Sequence, residues 1–144
     1  MAESVAARLR KHGFKCKTVE ITVRDNGLYS FSRQIHLRQP TNITNEIVTA
    51  AFQLFKDNYK WEHSIRSLGI RAADLVLDDI PVQLDLFGNQ EKKEKLEKLD
   101  RTVDEIRRRF GYFSIQRAAM YQDKVLSHLD AGTHTIHPHS YFHG

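Results

Sequence analysis

"KTVEITVRDNGLYSFSRQIHL", residues 17–37, decides how this chain folds. Val19, Ile21 and Val23 alternate with Thr18, Glu20, Thr22 and Arg24, the period of two that marks a strand with one face in a core. Asp25, Asn26 and Gly27 then supply a hairpin turn signal, because short polar side chains and glycine tolerate a left-handed backbone. "LYSFSRQIHL" resumes as a second strand, and Pro40 breaks the run. Two strands joined this tightly pair antiparallel and present one apolar face that must be covered.

The flanking segments offer the cover. Residues 3–12, "ESVAARLRKH", read as a short helix with Val5, Leu9 and alanines on one side, ended by Gly13. Thr44 starts an amphipathic helix with Glu46 in its first turn. That helix carries Ile47, Val48, Ala51, Phe52, Leu54 and Phe55 toward a core and ends near Tyr59. "SIRSLGIRAADLVL", residues 64–77, reads as one or two further strands, with a bulge expected at Gly69. Helix–strand–strand–helix–strand predicts an α+β fold: an antiparallel sheet with two helices on one face. The other face is left open.

That open face has a distinct chemistry. The first strand offers it Thr18, Thr22 and Arg24; the second offers Ser30, Ser32, Gln34, His36 and Arg38, with Arg33 added if the strand bulges. The third offers Ser67, Gly69 and Arg71, and Glu20 is the one carboxylate. Guanidinium charge with hydroxyl and amide donors is the inventory that phosphate contacts require. No aromatic pair is expected there to stack bases, which argues against a single-strand platform. An ordinary solvated sheet face has the same residues, so the pattern alone does not separate the two.

Composition limits the classes of function. The chain has 144 residues, is 40% hydrophobic and has a mean hydropathy of -0.53. These values suit a globular domain, and no run nears the roughly 18 apolar residues of a membrane span. "MAESVAARLRK" lacks the apolar stretch of a signal peptide. Cys16 is the single cysteine, which fits a reducing cytoplasm and a small buried hydrophobe. Charge is uneven. Residues 1–40 carry eight Lys and Arg against three acids, a surplus of five (8 − 3), while the whole chain reaches only +4 (22 − 18). A basic end suggests a polyanionic partner.

Beyond residue 78 the character changes. "PVQLDLFGNQ", residues 81–90, holds Leu84, Leu86 and Phe87 between a proline and a glycine, too short a stretch to bury them in an element of its own. It reads either as a scrap of core or as a ligand for another protein's pocket. "EKKEKLEKLDRTVDEIRRRFG" favours helix, with Leu96, Leu99, Val103, Ile106 and Phe110 at 3-4-3-4 spacing. So short an apolar line should find a partner surface, in the domain or in a second copy. Arg107, Arg108 and Arg109 would either meet phosphate or sit solvated beside the negative end of the helix dipole. His134, His137, His139 and His143 match no closed tetrahedral metal-ligand spacing, so a mobile tail is expected and no metal residue is assigned, with metal binding by the tract the alternative. The domains expected are a folded block at 1–78, a linker at 79–90, a helical extension at 91–130 and a tail at 131–144.

Order and wording together resemble a known family. "ESVAARLRKHGFKCKTVEITVRD", "FSRQIHL", "PTNITNEIVTAAFQLF", "IRSLGIRAADLV" and "QLDLFG" are similar to the C-terminal little-finger domain of bacterial Y-family translesion DNA polymerases, over about residues 3–88. The resemblance implies a four-stranded sheet backed by two helices, followed by a linker and a helical extension. It implies sequence-indifferent DNA contact through Thr22, Arg24, Ser32, Arg33, Gln34, His36, Arg38, Ser67 and Arg71. It also implies docking on the sliding clamp through "QLDLF": Gln83 at the pocket rim, Leu86 and Phe87 in the pocket, Leu84 beside them.

Catalysis is not expected of this chain. Polymerisation needs clustered carboxylates that hold two metal ions, which the resemblance places, with their magnesium, in a palm domain upstream. Asp78-Asp79 is the only adjacent acidic pair here, and no glycine-rich phosphate loop occurs. No catalytic residue and no cofactor are therefore assigned. The function expected is binding of damaged or primer–template DNA through phosphate contacts, with clamp docking, in DNA repair in the cytoplasm. The alternative is a protein-interaction module with an incidental basic face. Self-association through Leu96, Leu99, Val103, Ile106 and Phe110 is a separate expectation.

Overall fold

The computed structural model describes residues 1–79, 90–123 and 125. The chain divides into two compact units, one running from Met1 to Asp104 and the other beginning at Glu105. The clamp-like residues Gln83, Leu84, Leu86 and Phe87 and the four histidines of the tail lie outside the described residues.

In the first unit, helix α1 (Ala2–Lys11) precedes strands β1 (Phe14–Asp25) and β2 (Ser30–Thr41), helix α2 (Thr44–Asn58) and strand β3 (Ile65–Leu77). The sheet is antiparallel throughout, in the order β2-β1-β3. Lying between two neighbours, β1 contributes Cys16, Val19, Ile21 and Val23 to the core. Ala6 and Leu9 of α1 and Ile47, Ala51 and Leu54 of α2 join the same cluster, so both helices cover one face. Each large aliphatic side chain buried there adds about 1.5–3 kcal/mol of transfer free energy. Among the described residues the sheet has three strands, not the four that the resemblance implied; the period-2 segments of the sequence amount to these three.

Two local expectations are corrected. Pairing of β1 with β3 runs without a shift through Thr22↔Gly69, so Gly69 is not a bulge; the irregularity falls at Arg24/Asp25. The hairpin turn closes where Asp25 N–H donates to the Tyr29 carbonyl at 3.0 Å. Its left-handed residue is Leu28, at φ 68°, rather than Gly27. A leucine held there gives up the ease with which glycine adopts that backbone.

Helix α3 (Gln90–Phe110) ends at Gly111, whose φ of 100° suits glycine. Among the described residues the expected extension is α-helical only to that point. Short 3-10 turns at Tyr112–Ser114 and Ala118–Gln122 follow. The first part of α3 belongs to the first unit, and charge ties it there. Arg10 of α1 donates to Asp104 Oδ2 at 2.6 Å and to Asp100 Oδ2 at 3.2 Å. Lys93 donates to Gln39 Oε1 of β2 at 3.2 Å. At 100° per residue, Lys93, Asp100 and Asp104 line one side of α3, and the apolar line lies roughly 100° around from it. Leu96 and Val103, the members of that line nearest the charged side, are half-buried, as is Ile106, whereas Leu99 is 53% and Phe110 74% exposed. Among the described residues no helix is long and apolar enough to cross a membrane.

Candidate nucleic-acid interface

The face of the sheet away from α1 and α2 is built from cross-strand rows. Residues directly opposite one another in an antiparallel pair share a face and place their Cβ atoms about 4.5–5.5 Å apart. The registers therefore give four rows: His36–Thr18–Ala73, Gln34–Glu20–Arg71, Ser32–Thr22–Gly69 and Ser30–Arg24–Ser67. Thr22, Arg24, Ser32, Gln34, His36, Ser67 and Arg71 are all exposed on it. In the third row, Thr22 Oγ1 and Ser32 Oγ are hydrogen-bonded at 3.1 Å. A Cβ built on Gly69 would lie 3.7 Å from that of Thr22, ordinary contact, so the glycine relieves no clash; it leaves the row without a side chain at that half-buried position.

Arg33 does not join the rows. It pairs with Ile21, whose side chain is in the core, and so stands on the helix side of β2. There its Nε donates to Asn58 Oδ1 at 3.3 Å, its Nη1 donates to the Ser32 carbonyl at 2.8 Å, and its guanidinium lies 5.4 Å from the Phe31 ring centroid. The bulge that would have turned it round falls elsewhere, between Cys16 and Thr18. Arg38 is exposed in that irregular stretch of β2, where no residue of β1 is paired with it.

The first row contains a polar cluster that periodicity did not announce. Thr18 is 1% exposed although it lies on the open face. Its hydroxyl donates to the carboxylate of Asp74, a residue at φ 51° and hence turned out of simple alternation. Since that uses its only proton, the 2.7 Å contact with His36 Nδ1 requires the imidazole to donate from Nδ1. Nε2 of His36 is left for contacts outside the protein, and a phosphate contact there needs the protonated ring.

The basic surplus of the first forty residues is partly spent inside the molecule. Arg10 is clasped by Asp100 and Asp104, and Lys15 pairs with Asp78 at 3.0 Å. Arg24 and Arg71 are the cations in the rows; Arg71 stands directly opposite Glu20, and Arg24 lies two rows further along β1. In the second unit, Arg108 and Arg109 both pair with Glu105, whose carboxyl is held down at about 2, chiefly by the hydrogen bonds from Arg108. Arg107 donates to the Ile115 carbonyl at 3.0 Å and lies over the Tyr112 ring. Cys16 is fully buried, and burial pushes its thiol up to about 11. It is a small core residue, not a nucleophile. Among the described residues no group of His, Cys, Asp and Glu is arranged to hold a metal ion.

Comparison with known proteins agrees in one direction. A family model described as the impB/mucB/samB family C-terminal domain matches residues 1–86. A protein named DNA polymerase IV from Acetivibrio thermocellus is 41% identical over 129 residues, which cover 90% of this chain and 32% of that protein. One of the same name from Dehalococcoides mccartyi strain 195 is 31% identical over 127 residues, covering 88% and 31%. The protein named DNA polymerase IV 2 of Bacillus subtilis strain 168 is 34% identical over 122 residues, covering 83% and 28%. The chain thus spans about a third of the length of these relatives.

Proposed function

Because the chain belongs to the impB/mucB/samB C-terminal domain family, that of Y-family polymerases, we propose that it is the DNA-gripping and clamp-docking part of a translesion DNA polymerase. The observation that carries this reading is the exposed set of cross-strand rows on the helix-free face. Arg24 and Arg71 supply charge; Ser30, Ser32, Ser67, Thr22 and Gln34 supply neutral donors over three strands. Such a surface suits the backbone of a duplex and carries no groups arranged to read one base sequence.

In this reading the polymerisation chemistry and its magnesium ions belong to a palm outside the chain, which by itself transfers no nucleotide. "QLDLF", residues 83–87, is the ligand for the sliding clamp, on the strength of its sequence. The cytoplasm, where bacterial DNA is replicated, is the compartment proposed. Self-association through the apolar line of α3 is a separate proposal, tested by sedimentation of the full chain: a monomer at the highest soluble concentration dismisses it.

The runner-up is a protein-interaction module with an incidental basic face. Glu20 in the middle of the rows and the internal use of Arg10 and Lys15 favour it. Fluorescence anisotropy with two unrelated duplexes separates the readings. Phosphate contact gives equal affinities that fall steeply with salt; a flat salt response or a strong preference for one duplex refutes the proposal.

A further inference from the structure

A ladder of rings runs along the helix side of the sheet at its hairpin end. Tyr29 and Phe31 have ring centroids 6.5 Å apart, and Phe31 stacks with Tyr59 at 6.4 Å. Tyr59 stacks with Phe55 at 5.1 Å, and Trp61 stands edge-on to both, at 5.2 Å from Tyr59 and 5.8 Å from Phe55. The two ends of the ladder are the open ones: Tyr29 is 68% and Trp61 75% exposed. Core packing does not explain rings left so bare.

The backbone ties the hairpin turn that carries Tyr29 to the loop that carries Trp61. Asn26 N–H in the hairpin turn donates to the Ser64 carbonyl in the loop after α2 at 2.9 Å, and the Tyr59 hydroxyl donates to the His63 carbonyl. Leu28, at φ 68°, keeps its place just before Tyr29 against its backbone preference. Charge around the rings leans positive. Arg33 lies over Phe31, and Lys56, Lys60 and Arg66 are near in the chain, four cations against Asp57, Glu62 and the buried Asp25, whose carboxylate accepts from the Tyr29 N–H at 3.0 Å. Asp57 is in turn hydrogen-bonded by the Gln53 amide at 2.8 Å. The patch also adjoins the open face, because Tyr29 directly precedes Ser30 of the row Ser30–Arg24–Ser67.

Open aromatic faces beside cations form the combination that takes an unpaired nucleic-acid strand: bases stack on the rings while the cations follow the backbone. We infer that Tyr29 and Trp61 form a stacking platform for unpaired bases of a DNA strand leaving the duplex held on the sheet. This rests on the reading of the open face as a duplex surface. It adds a second class of ligand group, bases in place of phosphates, on the opposite side of β2. A protein partner would want the patch dry and depleted in charge; the four cations favour the nucleic acid.

Trp61 is the only tryptophan, so its emission reports the site directly. Full-length chain at about 50 mM salt, where phosphate contacts are strong, is titrated with a single-stranded oligothymidylate and, separately, with a blunt duplex of equal phosphate count. Saturable quenching is expected with the single strand and little with the duplex. W61A and Y29A should each lose about ten-fold in affinity for the oligothymidylate and keep duplex binding by anisotropy. W61F, which retains a ring, should keep most of the affinity and shows that the fold tolerates change at 61. If the duplex binds but the single strand does not quench Trp61, or if W61A binds the oligothymidylate as tightly as the parent, this inference falls and the duplex reading stands. If neither nucleic acid binds, both fall together.

Discussion

Asp100 of α3 accepts a hydrogen bond from the backbone N–H of Thr44, the first residue of α2, at 2.7 Å across 56 positions of sequence. Ile43, at the cap position of α2, has no side chain able to do this, and no side-chain cap bond forms there. The helix is therefore capped in trans. The same oxygen, Oδ2, accepts from Arg10 Nη1, and Arg10 Nη1 in turn donates to the Asn42 carbonyl at 2.8 Å. One buried carboxylate thus joins α1, α2 and α3.

Removing that carboxylate should cost more than its surface charge suggests. D100A strips the cap and leaves Arg10, 11% exposed, with Asp104 as its remaining acid. The loss expected is about 2–4 kcal/mol, below the full cost of a broken buried pair because Asp104 stays. Urea unfolding of the full chain measures it. D100N, which keeps an oxygen for Thr44, should lose clearly less. Equal losses for the two variants would rule out the capping role.

Arg24 and Arg71 should matter to DNA, and Arg33 should not. R24A and R71A are each expected to lower the log–log salt slope of duplex binding by about 0.9, the share of one phosphate. R33A is expected to leave the slope unchanged, because its guanidinium is on the helix side of β2 and engaged with Asn58 and Phe31. Anisotropy at several salt concentrations checks all three. A slope change for R33A matching that of R24A would refute the assignment of faces.

Changing Gln83, Leu86 and Phe87 together to alanine should abolish retention on immobilised sliding clamp and leave the thermal midpoint of the domain in place. If the segment were core, losing the Leu86 and Phe87 side chains would cost roughly 2–5 kcal/mol each. A clamp pull-down and a melt on the same preparation tell the cases apart. Retained clamp binding or a collapsed midpoint overturns the ligand reading.

The Cys16 thiol, pushed up to about 11 by burial, sets a direction for alkaline stability. Its folded-state value lies above the ordinary 9.0, so the folded chain holds this proton more tightly than the unfolded chain does. Its contribution is whole below about 9 and is lost as pH rises through about 11. C16A should therefore flatten the fall in stability over that window, read by urea melts across pH, at the expense of a small cavity. At neutral pH a thiol reagent should modify Cys16 only after unfolding. Rapid labelling of the native chain would contradict its burial.

Periodicity made much of this protein legible, for a local reason. Which side of a strand or helix is apolar can be read from residues within a few positions of one another. Hence Val19, Ile21 and Val23 announced the core face of β1 and Ile47, Ala51 and Leu54 that of α2, although Val48 and Phe52, read the same way, are exposed; the open-face residues announced their side of the sheet but not their rows. The rings at 55, 59 and 61 were equally visible in sequence, but the hairpin had to fold back before Tyr29 and Phe31 could extend them into a ladder. Register was not legible. Arg33 changes face according to where β2 bulges, and the bulge lies at Cys16/Thr18, where no glycine marks it. Nor could sequence show that Asp100, Asp104 and Lys93, rather than the apolar line beside them, would dock α3. A charge on a helix looks the same whether it ends in water or meets an arginine 90 residues away, and only the packing of α1 against α2 brings Arg10 and the bare N-terminus of α2 to one point. Local pattern thus sets the elements and their apolar sides; packing in three dimensions sets which charges hold the domain together and which remain on its surface.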